Sequence, residues 1–246
     1  MNQKKSFSPQ PKSCGIIIPV YNSDSYLDEL FQRIQKILKD LNDWVFKIVV
    51  IDDGSNPPIV NKDIPGMEIE WIRHGQNEGK GAALKTGFRY FLSVPNIDPF
   101  ITLDGDMQHP PELIPEFLKK YQSNNAKVII GSRKKNPKVM PFHRIISNML
   151  TSLIISLLIG QFVKDSQCGF RLYSREVIEK IKLSENRFHL ESEMIIKTGW
   201  QNYKINYIPI PTIYNEAPSA IRNFSDTINF ITLIIRLIKE RLVGSV

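Results

Sequence analysis

Apolar residues in this chain fall into short runs and helical stripes that alternate through its first half. Residues 14–20, Cys-Gly-Ile-Ile-Ile-Pro-Val, read as a buried strand. Across 24–40 the positions Leu27, Leu30, Phe31, Ile34, Ile37 and Leu38 recur at helical spacing. A β-branched run from Val45 to Ile51 stops at Asp52-Asp53-Gly54-Ser55, and Ile69 to Ile72 predicts a further short strand. Gly79 to Phe91 predicts a helix, and Phe100 to Leu103 a strand ending in Asp104-Gly105-Asp106. Pro110 to Tyr121 predicts a helix with proline in its first turn, and Lys127 to Ile130 another strand. Strands and helices alternating at this spacing argue for an α/β fold with a mostly parallel sheet covered on both faces.

The second half is patterned differently. Residues 141–163 are rich in Ile and Leu, but Arg144, Ser147, Asn148, Thr151 and Ser152 interrupt them at helical spacing. A spanning helix wants roughly 20 predominantly apolar residues. The segment therefore reads as an amphipathic helix, either covering the core or lying at an interface. Residues 224–242 behave alike, with Phe224, Ile228, Ile231, Ile234, Ile235 and Ile238 on one side. Residues 1–12 read as a disordered basic tail, 13–215 as one domain, and 216–246 as a loop plus the terminal amphipathic helix.

Composition narrows the class. With 246 residues, 42% hydrophobic and 23% charged, the chain can build a sizeable core. Two cysteines, Cys14 and Cys168, make no disulfide scaffold and suit a reducing compartment. The first residues carry charge without an apolar stretch, so no signal peptide is expected. The net charge of +7 is uneven: from Phe117 to Lys164 there are nine Lys and Arg and no Asp or Glu. Such a block suits nucleic acid, an anionic membrane or a phosphorylated ligand.

Three polar clusters fall where strands end, the place at which open α/β sheets bind ligands. They are Pro19-Val20-Tyr21-Asn22, Asp52-Asp53-Gly54-Ser55 and Asp104-Gly105-Asp106-Met107-Gln108. Asp104 and Asp106 can both reach one hard cation, Mg²⁺ or Mn²⁺, with Gln108 adding a neutral oxygen. A carboxylate such as Asp53 after a buried strand suits a nucleotide base or ribose hydroxyl, or turn formation.

Other motifs fail. Gly79-Lys80-Gly81 lacks the third glycine of a dinucleotide fingerprint, since position 84 is Leu, and a Walker loop would need glycine where His74 stands. Small residues there suit close approach of a helix to the sheet. Arg73 and Asn77 remain available to a nucleotide. His189-Leu-Glu-Ser-Glu193 is not a zinc motif, and His109 reads as a loop histidine without metal-ligand spacing. No Ser, His and acid pattern indicates a hydrolase.

PVYN, VIDDGS, NEGKGAALKTGF, LDGDMQHPPELIP, VIIGSR and DSQCGFRLYSRE, in that order, resemble family 2 glycosyltransferases with the GT-A fold. Within them the chain is similar to the dolichol-phosphate mannosyltransferase and polyprenyl-phosphate glycosyltransferase branch. The resemblance implies a nucleotide-sugar donor held by Pro19, Tyr21, Asp53, Asp104 and Gly105, and Mg²⁺ or Mn²⁺ on Asp104, Asp106 and Gln108. It implies Arg133 at a phosphate, Asp165 and Asp106 at the reaction centre, and Arg222 in place of a late basic residue aligned with Ala220. The implied acceptor is a polyprenyl or dolichyl phosphate. The enzyme would sit peripherally on the cytosolic face of a membrane, with a separate membrane-anchored subunit as a further partner and no role for nucleic acid. Ser23 replaces a glutamate usual in dolichol-phosphate mannose synthases, which leaves GDP-mannose and UDP-hexose both open as donors. Two rivals stand beside this reading: a soluble sugar or protein hydroxyl acceptor, and a sugar-nucleotide-binding module without turnover.

Overall fold

The computed structural model describes residues 11–134, 140–213 and 223–243. Arg222, Ala220, Lys135, Lys138 and residues 1–10 of the predicted tail lie outside them. Seven strands form one sheet: β1 (Lys12–Val20), β2 (Trp44–Asp52), β3 (Glu68–Arg73), β4 (Phe100–Thr102), β5 (Val128–Arg133), β6 (Arg171–Tyr173) and β7 (Ile205–Ile210). Their order is β3-β2-β1-β4-β6-β5-β7. Only β6 runs antiparallel to its neighbours, β4 and β5. Lys12, placed in the tail by composition, already belongs to β1 and pairs with Trp44.

Helices α1 (Leu27–Leu38), α2 (Lys80–Ser93), α3 (Ile114–Asn124), α4 (Phe142–Ile159), α5 (Arg175–Lys180), α6 (Leu190–Trp200) and α7 (Asn223–Leu242) complete the fold. The centre of β1, Ile16 to Ile18, is fully buried, because parallel strands are covered on both faces. At Gly87 α2 crosses β1 so closely that a Cβ would overlap Ile17. Gly79 and Gly81, expected to serve the same approach, instead pass under residues 186 and 187.

α4 is amphipathic with its polar side turned in. Ile145, Asn148, Ser152 and Ile155 are buried, while Phe142, Ile146, Met149, Leu150, Leu153 and Leu157 are exposed. By length and composition its 18 residues, with mean hydropathy 1.6, would suffice to cross a membrane. Its inward polar groups nevertheless tie it to the domain, and Gly160 at φ +66° ends it. α7 packs through Phe230, Leu233 and Leu237, so the stripe of Ile228, Ile231, Ile235 and Ile238 faces outward. Both helices thus present apolar surface instead of only covering the core.

Among its described residues, the basic block is not one patch. β5 carries its two ends to opposite edges of the sheet, about 20 Å apart. Lys127, just before the strand, pairs with Glu176, whereas Arg133 at its end is spent on Asp165. Lys120 donates to the Tyr207 carbonyl, and Lys164 sits over the Tyr207 ring.

Candidate functional site

The loops after β1, β2 and β4 converge at one edge of the sheet. Parallel neighbours β2-β1-β4 deliver their carboxyl ends side by side. The Asn22 N–H donates to Ser55 Oγ at 2.9 Å, and the Asn56 N–H donates to Asn22 Oδ1 at 2.9 Å, stitching the first two loops together. Tyr21 stands half-exposed beside them, and Pro19 is partly buried.

Asp52, the last residue of β2, and Asp53, just after it, are both engaged within the protein. Asp52 accepts from Ser55 N–H at 2.8 Å and pairs with Arg73, whose second nitrogen donates to the Ser55 carbonyl. Asp53 is 3% exposed and accepts from the backbone N–H groups of Glu78 and Gly79, at 3.0 and 2.8 Å, while His74 Nδ1 lies 2.7 Å away. The Asp53 carboxylate, expected at the donor nucleotide, holds the loop that leads into α2.

That loop delivers Lys80 to Asp104. Its ammonium lies 2.7 Å from Asp104 Oδ1 and 2.8 Å from Glu191 Oε1. Burial alone would lower the lysine pKa, but the two carboxylates outweigh it and hold the ammonium charged above the usual lysine range. In turn, burial pushes Asp104 up, and its basic neighbours, Lys80 foremost and Arg133 among them, more than offset this, keeping it ionised. Burial, reinforced by the Asp104 charge, raises Asp106 to about 6. Sequence reasoning missed Lys80 and Glu191, which lie 111 residues apart with no local pattern joining them.

His109 corrects its reading as a plain loop histidine. It is buried, and its Nδ1 has no hydrogen-bond partner although the Asp104 carboxylate stands 3.6 Å off. Burial lowers it to about 4, so the ring is neutral near pH 7. Nε2 faces Cys168 Sγ at 3.8 Å. With Nε2 protonated toward Cys168, the Nδ1 lone pair would be turned toward the aspartates. Asp104, Asp106 and His109 offer three ligand atoms within 4.8 Å of one another. Ligands sharing an ion sit about 2 Å from it, so this oxygen and nitrogen set fits a small divalent cation. Gly169 keeps the space open: a Cβ there would stand 2.7 Å from Asp104 Oδ1 and closer still to Oδ2. Gln108 meets Asp106 through its backbone N–H, at 3.0 Å. Gly105 is buried so near Val20 that a Cβ would lie 2.6 Å from its methyl.

Asp165 and Arg133 form the other side. The Arg133 guanidinium donates to both Asp165 oxygens, at 2.8 and 2.9 Å. Asn148 of α4 donates to Asp165 Oδ1 at 2.9 Å, and the Gln167 N–H at 3.1 Å. Burial would raise this carboxyl, but Arg133 outweighs it and holds Asp165 at about 2. A fully buried carboxylate so stabilised is a poor proton acceptor; it orients Arg133. Arg171 is also internal, bonded to the carbonyls of Ser166, Cys168 and Glu191.

Comparison with known proteins agrees with this architecture. Residues 15–182 match the family described as Glycosyl transferase family 2. A UDP-N-acetylglucosamine–dolichyl-phosphate N-acetylglucosaminyltransferase of Methanococcus voltae is 29% identical, over 83% of this chain and 87% of its own. The dolichol-phosphate mannosyltransferase of Pyrococcus furiosus is 32% identical over 74% of this chain, which spans 52% of that protein. Among solved structures, glucosyl-3-phosphoglycerate synthase from Mycobacterium tuberculosis, with Mn²⁺, UDP-glucose and phosphoglyceric acid, superposes with a TM-score of 0.64. That match covers 91% of this chain and 77% of the other at 15% identity, a likeness of fold.

Proposed function

We propose, for a chain that belongs to glycosyl transferase family 2, that it transfers a sugar from a nucleoside-diphosphate donor, GDP-mannose or a UDP-hexose, to a polyprenyl or dolichyl monophosphate. The observation that carries this reading is the hydrogen bond from Asn148 to Asp165. It ties a helix with an apolar outer face directly to the charged centre, as a lipid-linked acceptor requires.

Asp104, Asp106 and His109 would hold the divalent ion, with Mn²⁺ in the related fold as a precedent. Bound there, the ion neutralises the departing diphosphate. Pro19 and Tyr21 line the donor side, and Asp53 serves it indirectly by fixing the loop before Lys80. Lys80 lies beside the metal carboxylate, where it can add a positive charge to the diphosphate.

Asp165 supports this acceptor class. An alcohol acceptor needs a base to take its proton, and Asp165 is held ionised, buried and saturated by donors. A phosphate monoester, with a second pKa near about 6, arrives already anionic and needs no such base. Attack of its oxygen on the anomeric carbon, opposite the leaving diphosphate, inverts that centre. Arg133, oriented by Asp165, would meet the acceptor phosphate with the part of its guanidinium that Asp165 does not use. The outward apolar residues of α4 and α7 support peripheral contact with the membrane that holds the acceptor.

The test is a panel of radiolabelled nucleotide sugars incubated with polyprenyl phosphate, with and without Mn²⁺, followed by organic extraction. Label in the organic phase that depends on both lipid and metal is expected. Transfer to a water-soluble hydroxyl with the lipid phosphate ignored would overturn the acceptor assignment, and tight donor binding without turnover would overturn the enzymatic one.

A further inference from the structure

Lys80 is fixed from both sides. On one, Gly79 donates its N–H to Asp53. On the other, the Ala82 N–H donates to the Asn186 carbonyl at 2.8 Å. The chain crossing is so tight that a Cβ at Gly79 would stand 2.5 Å from Asn186 O, and one at Gly81 would stand 2.7 Å from Arg187 O. The segment that clamps the first turn of α2 continues into α6, which supplies Glu191. A single ammonium is therefore shared between Asp104, a metal carboxylate in the reading above, and a second carboxylate that is itself 7% exposed.

We propose that Lys80 is a displaceable internal counter-cation of Asp104, and that Glu191 is the positioning residue that retains it when a divalent ion and a nucleoside diphosphate enter. A divalent ion on the Asp104 oxygens repels an ammonium a few ångströms away. Lysine is a point charge on a flexible stem, and it can swing off one carboxylate while staying on another. Glu191 keeps the ammonium from leaving the site, so that it meets the diphosphate instead. The ion binds against Lys80 when alone. With the diphosphate present, Lys80 gains a new anion, so the two ligands reinforce each other through this side chain in addition to touching directly.

This inference rests on the metal reading, and the experiment separates the two. Mn²⁺ affinity is measured by electron paramagnetic resonance on the full chain, with and without GDP or UDP. The proteins compared are wild type, Lys80→Met, Glu191→Gln, their double variant and Asp104→Asn. Lys80→Met should bind Mn²⁺ alone roughly tenfold more tightly and the diphosphate more weakly. Glu191→Gln leaves Lys80 on Asp104 only; it should weaken Mn²⁺ binding alone and, with the ammonium no longer retained, shrink the factor by which the nucleotide tightens it. Adding Lys80→Met to it should restore at least wild-type affinity. Unchanged or weaker Mn²⁺ binding in Lys80→Met, or a double variant as weak as Glu191→Gln, overturns the proposal. Should the lysine variants not fold, Glu191→Gln alone decides, and an unaltered nucleotide factor overturns it. Wild-type Mn²⁺ binding by Asp104→Asn would instead remove the metal reading itself.

Discussion

Arg133 and Asp165 face each other through two hydrogen bonds, one to each carboxylate oxygen, 2.8 and 2.9 Å long, at the end of β5. Asp165 is fully buried, and its ionised form survives because Arg133, Asn148 and the Gln167 N–H stabilise it.

The pH dependence of stability follows from that pair. The Asp165 carboxyl lies at about 2, below its ordinary value of 3.8. A depressed carboxyl contributes stability that is complete above the unfolded pKa and is lost as pH falls toward the folded one. The window is therefore about pH 4 down to pH 2, and the contribution is on the order of 2 kcal/mol. Asp165→Asn should lower stability at pH 7, and the gap from wild type should narrow by about that amount at pH 2. Urea midpoints at the two pH values check it; a gap independent of pH would refute the assignment.

Metal binding should depend on His109 as well as on the aspartates. Asp104→Asn and Asp106→Asn should each abolish metal-dependent sugar transfer. His109→Ala should weaken Mn²⁺ binding by roughly tenfold or more, the scale of a lost ligand or ligand support. Isothermal titration of Mn²⁺ into the donor-free protein measures this. Full affinity in His109→Ala would leave the unpaired Nδ1 without a metal role.

Gly169→Ala tests the space around Asp104 without removing a ligand. The added methyl would overlap both carboxylate oxygens. Thermal unfolding should show a folded protein, while Mn²⁺ affinity and transfer both fall by about an order of magnitude or more. Wild-type affinity would mean that Asp104 can relocate freely.

These residues differ in how far the sequence discloses them. β1 and β2 are continuous apolar runs because both faces are covered, and Asp104-Gly105-Asp106 directly follows a third run, so sheet and carboxylates are readable by eye. α6 shows no such signal. Residues 190–199 are buried on every side, including Glu191, Glu193 and Lys197, which are neutralised by partners distant in sequence or a turn away. Burial all round erases the helical stripe. β6 is three residues long and carries a buried arginine, against every expectation for a strand. In α4 two of the polar residues that interrupt the apolar pattern, Asn148 and Ser152, are the ones that bind Asp165 and Ser166. His109 lacks ligand spacing because the loop turns sharply at Met107, φ +63°, and brings together residues that no regular element would.

The outward face of α4 yields the last prediction. Leu153 and Leu157 are 56% and 77% exposed, so replacing both with serine should change the unfolding midpoint little. If that face enters a bilayer, each leucine contributes about 1–2 kcal/mol of apolar transfer on docking. The double variant should then bind polyprenyl-phosphate-containing vesicles tens of fold more weakly in a flotation assay. Transfer to a short-chain, water-soluble prenyl phosphate should persist, because Asn148, Ser152 and the Asp165 centre lie on the opposite side of the helix. Equal loss with both acceptors would show that the leucines support the centre itself. Unchanged flotation would move the membrane contact to another surface, such as the Ile228, Ile231, Ile235 and Ile238 stripe of α7.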